Sequence, residues 1–198
     1  MDVWQPRMAA LVKVFGAADD SVLTAIPPIY MGGGADIVCF PNYLGGVAYV
    51  TAGLTGGVEG VDQAPSQMGN YELVMCTKER CRGEAATSDL DKAQRQDWAP
   101  NFLSQFAVAT LTEPYDIGDT MDFPLLEDSA IEALLFLGIG PKVRFGFGGK
   151  TYGLLLCLGI TQSELNRCRK EGSHVVVKAL KDAGVFPWTD PKRASVIK

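Results

Sequence analysis

The residue types that could perform nucleophilic chemistry are few in this chain. It has one histidine, His174, and five cysteines. A histidine activates a cysteine or serine nucleophile when the two side chains lie within hydrogen-bond reach. The sequence has no nucleophile-elbow pattern, and His174 falls in the first turn of a predicted helix, where the helix dipole disfavours an imidazolium. We interpret His174 as a surface or capping-turn residue, and we predict that the chain is not an enzyme.

Three short patterns could bind a metal or a phosphate, and each is incomplete. Cys76 and Cys81 have a spacing that could begin a zinc site, but a structural zinc needs four ligands. Gly149-Lys150-Thr151 matches the end of a phosphate-binding loop, yet Arg144 stands where that loop needs a glycine. Gly32-Gly33-Gly34 precedes a predicted strand, whereas a dinucleotide-binding loop follows one. We therefore predict no cofactor and no metal.

An acidic loop is the best candidate for a binding surface. Asp116, Asp119 and Asp122 lie close together, shortly after Glu113. Hard divalent cations prefer several oxygen ligands, but the glycine and acidic pattern of an EF-hand loop is absent. We interpret the segment as a solvated acidic loop, or as a negative patch for a basic partner. Asp116, Asp119 and Asp122 are the predicted partner-binding residues.

Glu72 is unusual because it lies within an otherwise apolar strand, Tyr71–Cys76. A charged group on a buried face must be paired. Glu72 therefore either faces solvent or anchors a structural hydrogen bond, and both are favoured over a role in binding.

Composition limits the classes of function. The chain has 198 residues, 47% of them hydrophobic and 21% charged, with a net charge of −5. Nucleic-acid binding needs a surplus of Lys and Arg, so neither a nucleic acid nor an anionic membrane is a predicted partner. The N-terminus does not resemble a signal peptide, and apolar runs stay short of the ~20 residues that span a bilayer. With cysteines inside apolar strands, we expect reduced thiols and a cytoplasmic protein.

Apolar periodicity predicts four helices. Thr161 and Glu164 have the spacing of a capping box at the start of the third, directly after the apolar run Gly153–Ile160. Ser173 is expected to cap the fourth, which would end at Gly184 with Val176, Val177 and Leu180 on its inner face. The predicted helices are Pro6–Phe15, Trp98–Thr110, Ser163–Glu171 and the helix after Ser173. The tail Val185–Pro191 is predicted to be extended.

Short apolar runs predict five or six strands that come mostly in hairpins, which favours an α+β fold with a mixed sheet. We expect a single domain over 1–198, with mobile loops near 54–69 and 78–97 and a loop from Tyr115 to Phe123. Ile131–Ile139 is predicted as a strand, although its composition also permits a helix. The other predicted strands are Ala35–Phe40, Val47–Ala52, Tyr71–Cys76, Arg144–Phe147 and Tyr152–Ile160. The first two of these are expected to form one hairpin, and the last two another.

An ordered series of segments resembles the suppressor-of-fused family. The likeness covers most of residues 30 to 197, and the order and spacing of its segments make it specific. The segments are Tyr49–Thr55, Tyr71–Met75, Phe102–Ala107, Gly118–Thr120, Tyr152–Leu165 and Trp188–Arg193.

The resemblance implies an α+β fold, with a largely antiparallel sheet, like that of the N-terminal domain of the animal protein, which holds a transcription-factor peptide between two domains. This chain has room for one such domain, so we do not infer from the resemblance that it binds a peptide between two domains. It also implies a non-catalytic protein-binding role. Single-domain members are mostly bacterial, and gene neighbourhood suggests that they are immunity proteins that neutralise toxins.

Two alternatives stay open. One is an enzyme or small-ligand-binding protein with a cleft near His174 and the Asp116–Asp122 loop, which requires His174, a cysteine and an acidic residue to converge. The other is a self-associating structural module. The sequence leaves the oligomeric state, the partner and the binding face undetermined.

Overall fold

The structure is a computed structural model that describes residues 4–20, 22–31, 33–54, 66–80, 98–123, 128–139, 144–147 and 150–197. Most of the two predicted mobile loops, namely residues 55–65 and 81–97, lies outside this range. None of the described helices is long and apolar enough to cross a membrane.

The described chain contains four α-helices and eight β-strands. The helices are α1 (Trp4–Phe15), α2 (Trp98–Thr112), α3 (Gln162–Glu171) and α4 (Ser173–Asp182), and a short 3-10 turn covers Ile29–Met31. The strands are β1 (Val22–Leu23), β2 (Ile37–Tyr43), β3 (Gly46–Thr51), β4 (Tyr71–Thr77), β5 (Thr120–Asp122), β6 (Ala133–Gly138), β7 (Arg144–Phe147) and β8 (Lys150–Ile160).

All eight strands belong to one mixed sheet with the order β1-β2-β3-β4-β8-β6-β5, and β7 also pairs with β8. Neighbouring strands are antiparallel except β4 and β8, which are parallel in the register Tyr71 with Gly153. The predicted hairpins β2–β3 and β7–β8 are confirmed. The fold is therefore α+β with a largely antiparallel sheet, as predicted.

Helices cover both faces of the sheet. One apolar cluster joins α1, α3 and α4 to alternate strand residues such as Leu154, Leu156 and Leu158. The second cluster joins α2 to the intervening residues, including Leu155 and Cys157. Successive strand side chains point to opposite faces, so β8 is buried on both sides as its continuous apolar run predicts.

Three local predictions differ from the structure. The segment Tyr115–Phe123 is not all loop, because Thr120–Asp122 pairs with β6 as a strand. A strand of three residues is too short to show a period of two in the sequence. The helical alternative for Ile131–Ile139 is wrong, since Ala133–Gly138 is strand β6. The tail is not fully extended, because Trp188 N donates to Val185 O at 2.8 Å in a turn.

The caps of the last two helices differ. Thr161 caps α3 with a complete capping box, as predicted. Ser173 does not cap α4: Gly172 occupies the N-cap position, and no side chain donates or accepts there. Gly172 has φ +93°, and α4 begins immediately after it, so Ser173 already lies inside the first turn.

Candidate protein-interaction surface

The predicted acidic loop lies at one edge of the sheet. Strand β5 is the last strand of the described sheet, next to β6. Gly118 N donates to Phe136 O at 2.8 Å, and Phe136 N donates to Asp119 O at 2.9 Å, so the loop before β5 is fixed to β6. Gly118 has φ +100°, a conformation that a glycine adopts readily. We call the surface formed by Glu113, Asp116, Ile117, Asp119 and Asp122 the acidic edge.

The three predicted aspartates have different roles within the acidic edge. Asp116 accepts hydrogen bonds from Gln67 N at 3.2 Å and Met68 N at 3.1 Å, which ties the loop to a distant segment. Asp119 Oδ2 accepts from Asp116 N at 2.8 Å within the loop. Asp122 forms a surface ion pair with Arg169 of α3. Asp119 and Asp122 remain exposed, and Asp116 is half-buried.

Ile117 is the apolar member of the acidic edge. Its side chain is 57% exposed and lies in the sequence between Asp116 and Asp119. A single exposed apolar residue is ordinary on a protein surface. An apolar side chain among carboxylates is, however, the arrangement of an interface with a small desolvated centre and a charged rim.

His174 lies beside the acidic edge, and three of the described thiols are in surroundings that disfavour the thiolate. An added Cβ at Gly118 would be 3.6 Å from Ser173 Oγ, so the loop approaches the N-terminus of α4, where His174 is exposed. Burial raises the pKa of Cys76 to about 12 and also raises that of Cys157. The pKa of Cys168 is raised by burial, against a lowering effect of Arg169. These sulfurs are neutral thiols at pH 7, and Cys81 lies outside the described residues.

The described residues also contain no group of three or more His, Cys, Asp or Glu side chains arranged to hold a metal ion.

Glu72 lies in the interior and has a structural role, so the solvent-facing alternative is wrong. Its side chain is fully buried. Thr51 Oγ1 donates to Glu72 Oε2 at 2.6 Å, and the backbone N–H groups of Gly53 and Leu54 each donate at 3.3 Å. Arg7 Nε of α1 lies 3.8 Å from Glu72 Oε1. Glu72 therefore holds together β4, the end of β3 and the first helix.

Glu164 forms a second buried centre, which the sequence reveals only in part. In addition to its capping bond with Thr161, it accepts two bonds from Arg193, at 2.7 Å from Nη1 and 2.5 Å from Nη2. Val196 N donates to the same carboxylate at 2.9 Å. Burial raises the pKa of Glu164, but the bonds from Arg193, Thr161 and Val196 outweigh it, so the pKa lies below its ordinary value.

The C-terminal tail is fixed by this centre. Arg193 Nη2 also donates to Gly159 O at 3.0 Å, and Gly159 N donates to Thr189 Oγ1 at 2.9 Å. Sequence reasoning missed the Glu164–Arg193 pair, because the two residues are far apart in the chain and an ion pair has no periodic signal. The one available signal was that Glu164 follows directly after a continuously apolar strand. A carboxylate buried there needs an opposite charge or several hydrogen-bond donors.

The model of the family described as suppressor of fused protein (SUFU) matches residues 34–194. The chain belongs to this family. The matched range contains the acidic edge, Glu72 and the Glu164–Arg193 pair. A comparison with curated proteins finds no match.

Solved structures of the SUFU family have the same fold. A chain of the Sufu–Fu complex matches with a TM-score of 0.69 and 17% identity, covering 98% of this chain and 91% of that one. A SUFU homolog from Neisseria gonorrhoeae FA 1090 matches with a TM-score of 0.65 and 17% identity, covering 100% and 98%. Drosophila Suppressor of Fused matches with a TM-score of 0.69 and 16% identity, covering 97% of this chain. The match spans 50% of the Drosophila chain.

Proposed function

We propose that this SUFU domain is a non-catalytic protein-binding module that captures a basic partner on the acidic edge. The observation that carries the proposal is Ile117, 57% exposed among carboxylates at the edge of the sheet. The apolar side chain supplies the contact that would be desolvated. Asp119 supplies charge that attracts the partner, and a basic group of the partner would replace Arg169 as the counter-ion of Asp122.

Charge and family both support a protein partner. The chain has a net charge of −5, and complementary charge raises the rate of diffusional encounter more than it raises affinity. The related Sufu chain was solved in a complex with Fu. The neutral, buried thiols support a binding role over a catalytic one.

The finer proposal is that the partner is a basic toxin and that the domain is its immunity protein. An inhibitor of a toxin must capture its target quickly, which the acidic edge favours. The four described cysteines are free, which supports a cytoplasmic site of action. The neighbouring gene is then expected to encode the toxin.

The first experiment uses the purified full chain as bait, in its wild-type form and as Ile117→Asp. We expect a cell extract to yield a partner that the wild-type chain retains and the variant does not. The product of the neighbouring gene is tested directly: co-expression with the wild-type chain should restore growth, and co-expression with Ile117→Asp should not. If neither experiment yields a partner that depends on Ile117, the proposal is wrong.

The second experiment tests whether association depends on the charges of the acidic edge or only on the net negative charge of the chain. The variant D119N/D122N removes two carboxylate charges from the edge but keeps oxygen acceptors at both positions. The matched control E171Q/D182N removes two charges from α3 and α4. We expect the association rate with the captured partner to fall about tenfold in the first variant and to become less sensitive to salt. Equal rates in the two variants would contradict a specific role for the edge.

A further inference from the structure

The tip of the β2–β3 hairpin has an unusual residue at a strained position. Tyr43 pairs with Gly46, which leaves Leu44 and Gly45 as a two-residue turn. Both have positive φ, +49° for Leu44 and +79° for Gly45. Turns of this kind favour Asn-Gly or Gly-Gly, because a side chain with a Cβ is disfavoured in the left-handed region. Leu44 is the one residue other than glycine with positive φ in the described chain.

Leu44 gains little burial in return for this strain. Its side chain is 66% exposed. Exposure alone is common, but here the side chain buries too little apolar surface to offset the strained backbone. Asparagine would relieve the strain and lose little burial. Strained backbone conformations cluster at active sites, ligand clamps and switch regions, which makes Leu44 a candidate contact residue.

Two lysines lie beside the hairpin and the tail that packs against it. An added Cβ at Gly46 would be 2.4 Å from Trp188 Cζ3, so the hairpin rests on the Trp188 ring. Lys78 Nζ lies 4.5 Å from the centroid of the same ring. Lys181 Nζ lies 4.9 Å from the centroid of Phe186, two residues before Trp188. Aromatic rings attract cations, so both ammonium groups are held in place near the protein surface.

The carboxylates around these lysines leave the surface positive. Glu79 is exposed next to Lys78. Asp182 is paired with Lys178, and Asp19 is paired with Arg80. Asp190 and Lys192, close to Trp188 in the chain, are exposed as well, so Lys78, Lys181 and Lys192 outnumber the exposed carboxylates Glu79 and Asp190 near this tail. The charge is opposite to that of the acidic edge.

We propose that Leu44 is the apolar anchor of a second protein-binding surface, which receives a partner whose apolar pocket is rimmed by carboxylates. Leu44 enters the pocket, and Lys78 and Lys181 pair with its rim. The surface is separate from the acidic edge, because β4, β8 and β6 lie between β3 and β5 in the sheet. A basic partner of the acidic edge would not fit here, so the domain can bridge two proteins.

The test selects peptides from a random library displayed on phage, using the immobilised full chain and removing those that also bind Leu44→Asn. Asparagine preserves the turn. We expect the enriched peptides to contain a large apolar residue flanked by Asp or Glu. Their affinity should fall about tenfold in Leu44→Asn and several-fold in Lys78→Gln. The control Ile117→Asn, on the acidic edge, should bind them as the wild-type chain does, so this test can fail independently of the proposed function.

A stability measurement checks the strain directly. Leu44→Asn should raise the ratio of folded to unfolded protein about fivefold at a fixed denaturant concentration. A decrease would show that Leu44 stabilises the domain itself and would overturn the proposal. So would a library without enriched peptides, or enriched peptides that lack carboxylates. Self-association of the wild-type chain in sedimentation, lost in Leu44→Asn, would identify a second copy as the occupant and would also overturn it.

Discussion

The two buried carboxylates of this domain, Glu72 and Glu164, have the same chemistry but are stabilised in different ways. Both side chains are fully buried. The shortest bond to Glu72 comes from a neutral donor, the Thr51 hydroxyl at 2.6 Å, and the Arg7 Nε atom is 3.8 Å away. Glu164 is held by both terminal nitrogens of Arg193.

The difference shows that the two carboxylates join different parts of the chain. Glu72 joins the ends of neighbouring strands to α1, with backbone N–H groups of the strand end and Arg7 of the helix around its carboxylate. Glu164 joins a helix start to the tail, and that contact depends on one guanidinium. A bidentate charged pair is stronger than a bond from a neutral donor, but removing its guanidinium removes more of the stabilisation of the buried carboxylate. The Glu164 centre should therefore be the more sensitive to mutation.

The largest effect is expected from Arg193→Met. The substitution keeps much of the side-chain volume but leaves the Glu164 carboxylate buried without its cation. Breaking a buried pair in this way costs about 3–5 kcal/mol. The free energy of unfolding, measured in urea, should fall by that amount.

The control is Arg167→Met on α3, the helix that carries Glu164, and it removes an exposed pair with Glu171. Exposed pairs of this kind contribute about 0.3–0.5 kcal/mol, so the control should be close to wild type. Equal losses for the two variants would show that Glu164 is not the more sensitive centre.

The second-largest effect is expected from acid, which should reduce the contribution of the Glu164–Arg193 pair to the free energy of unfolding. Its pKa is lower in the folded protein than in the unfolded chain, so the folded state favours the ionised form. This contribution is complete above the unfolded pKa of about 4.3 and is lost as the pH falls through the folded pKa. Urea unfolding between about pH 7 and pH 3 should show the difference between the wild type and Arg193→Met shrinking below about pH 4. A difference that persists unchanged at low pH would contradict the ionised pair.

A smaller loss is expected from Glu72→Gln. The amide keeps one acceptor for the Thr51 hydroxyl or the backbone N–H groups but loses the negative charge. Hydrogen bonds to a charged group contribute about 1.5–3 kcal/mol, so we expect a loss of about 2 kcal/mol in the free energy of unfolding. Glu113→Gln, an exposed carboxylate, is the control and should change stability by less than about 0.5 kcal/mol. A loss larger than that of Arg193→Met would reverse the comparison.

The smallest effect compares the two helix starts. Thr161→Ala removes the N-cap of α3 and should cost about 1 kcal/mol. Ser173→Ala should change stability by only a few tenths of a kcal/mol, because Ser173 lies inside the first turn of α4. Thermal unfolding of the two variants side by side is sufficient. Similar losses would mean that Ser173 caps α4 in solution.

The sequence predicts those features that depend on neighbours along the chain. The capping box follows from the spacing of Thr161 and Glu164, and the β2–β3 hairpin follows from two apolar runs around a glycine-rich turn. The burial of β8 on both faces follows from its continuous apolar composition. Each of these features leaves a pattern within a dozen residues.

The remaining features depend on contacts between distant segments. The parallel pairing of β4 with β8 and the pair of Glu164 with Arg193 leave no periodic signal. The sequence places Asp116, Asp119 and Asp122 close together. It does not show that the Asp116 carboxylate accepts hydrogen bonds from the backbone N–H groups of Gln67 and Met68. Strand β5 is too short for alternation to reveal it.

The bond between Glu164 and Arg193 also has a consequence for synthesis on the ribosome. Glu164 is translated 29 residues before Arg193. Until Arg193 has emerged, the carboxylate at the start of α3 has no guanidinium to neutralise it in the interior. Docking of α3 against the sheet is therefore expected to become favourable once Arg193 can reach the carboxylate, so this helix should dock late in folding.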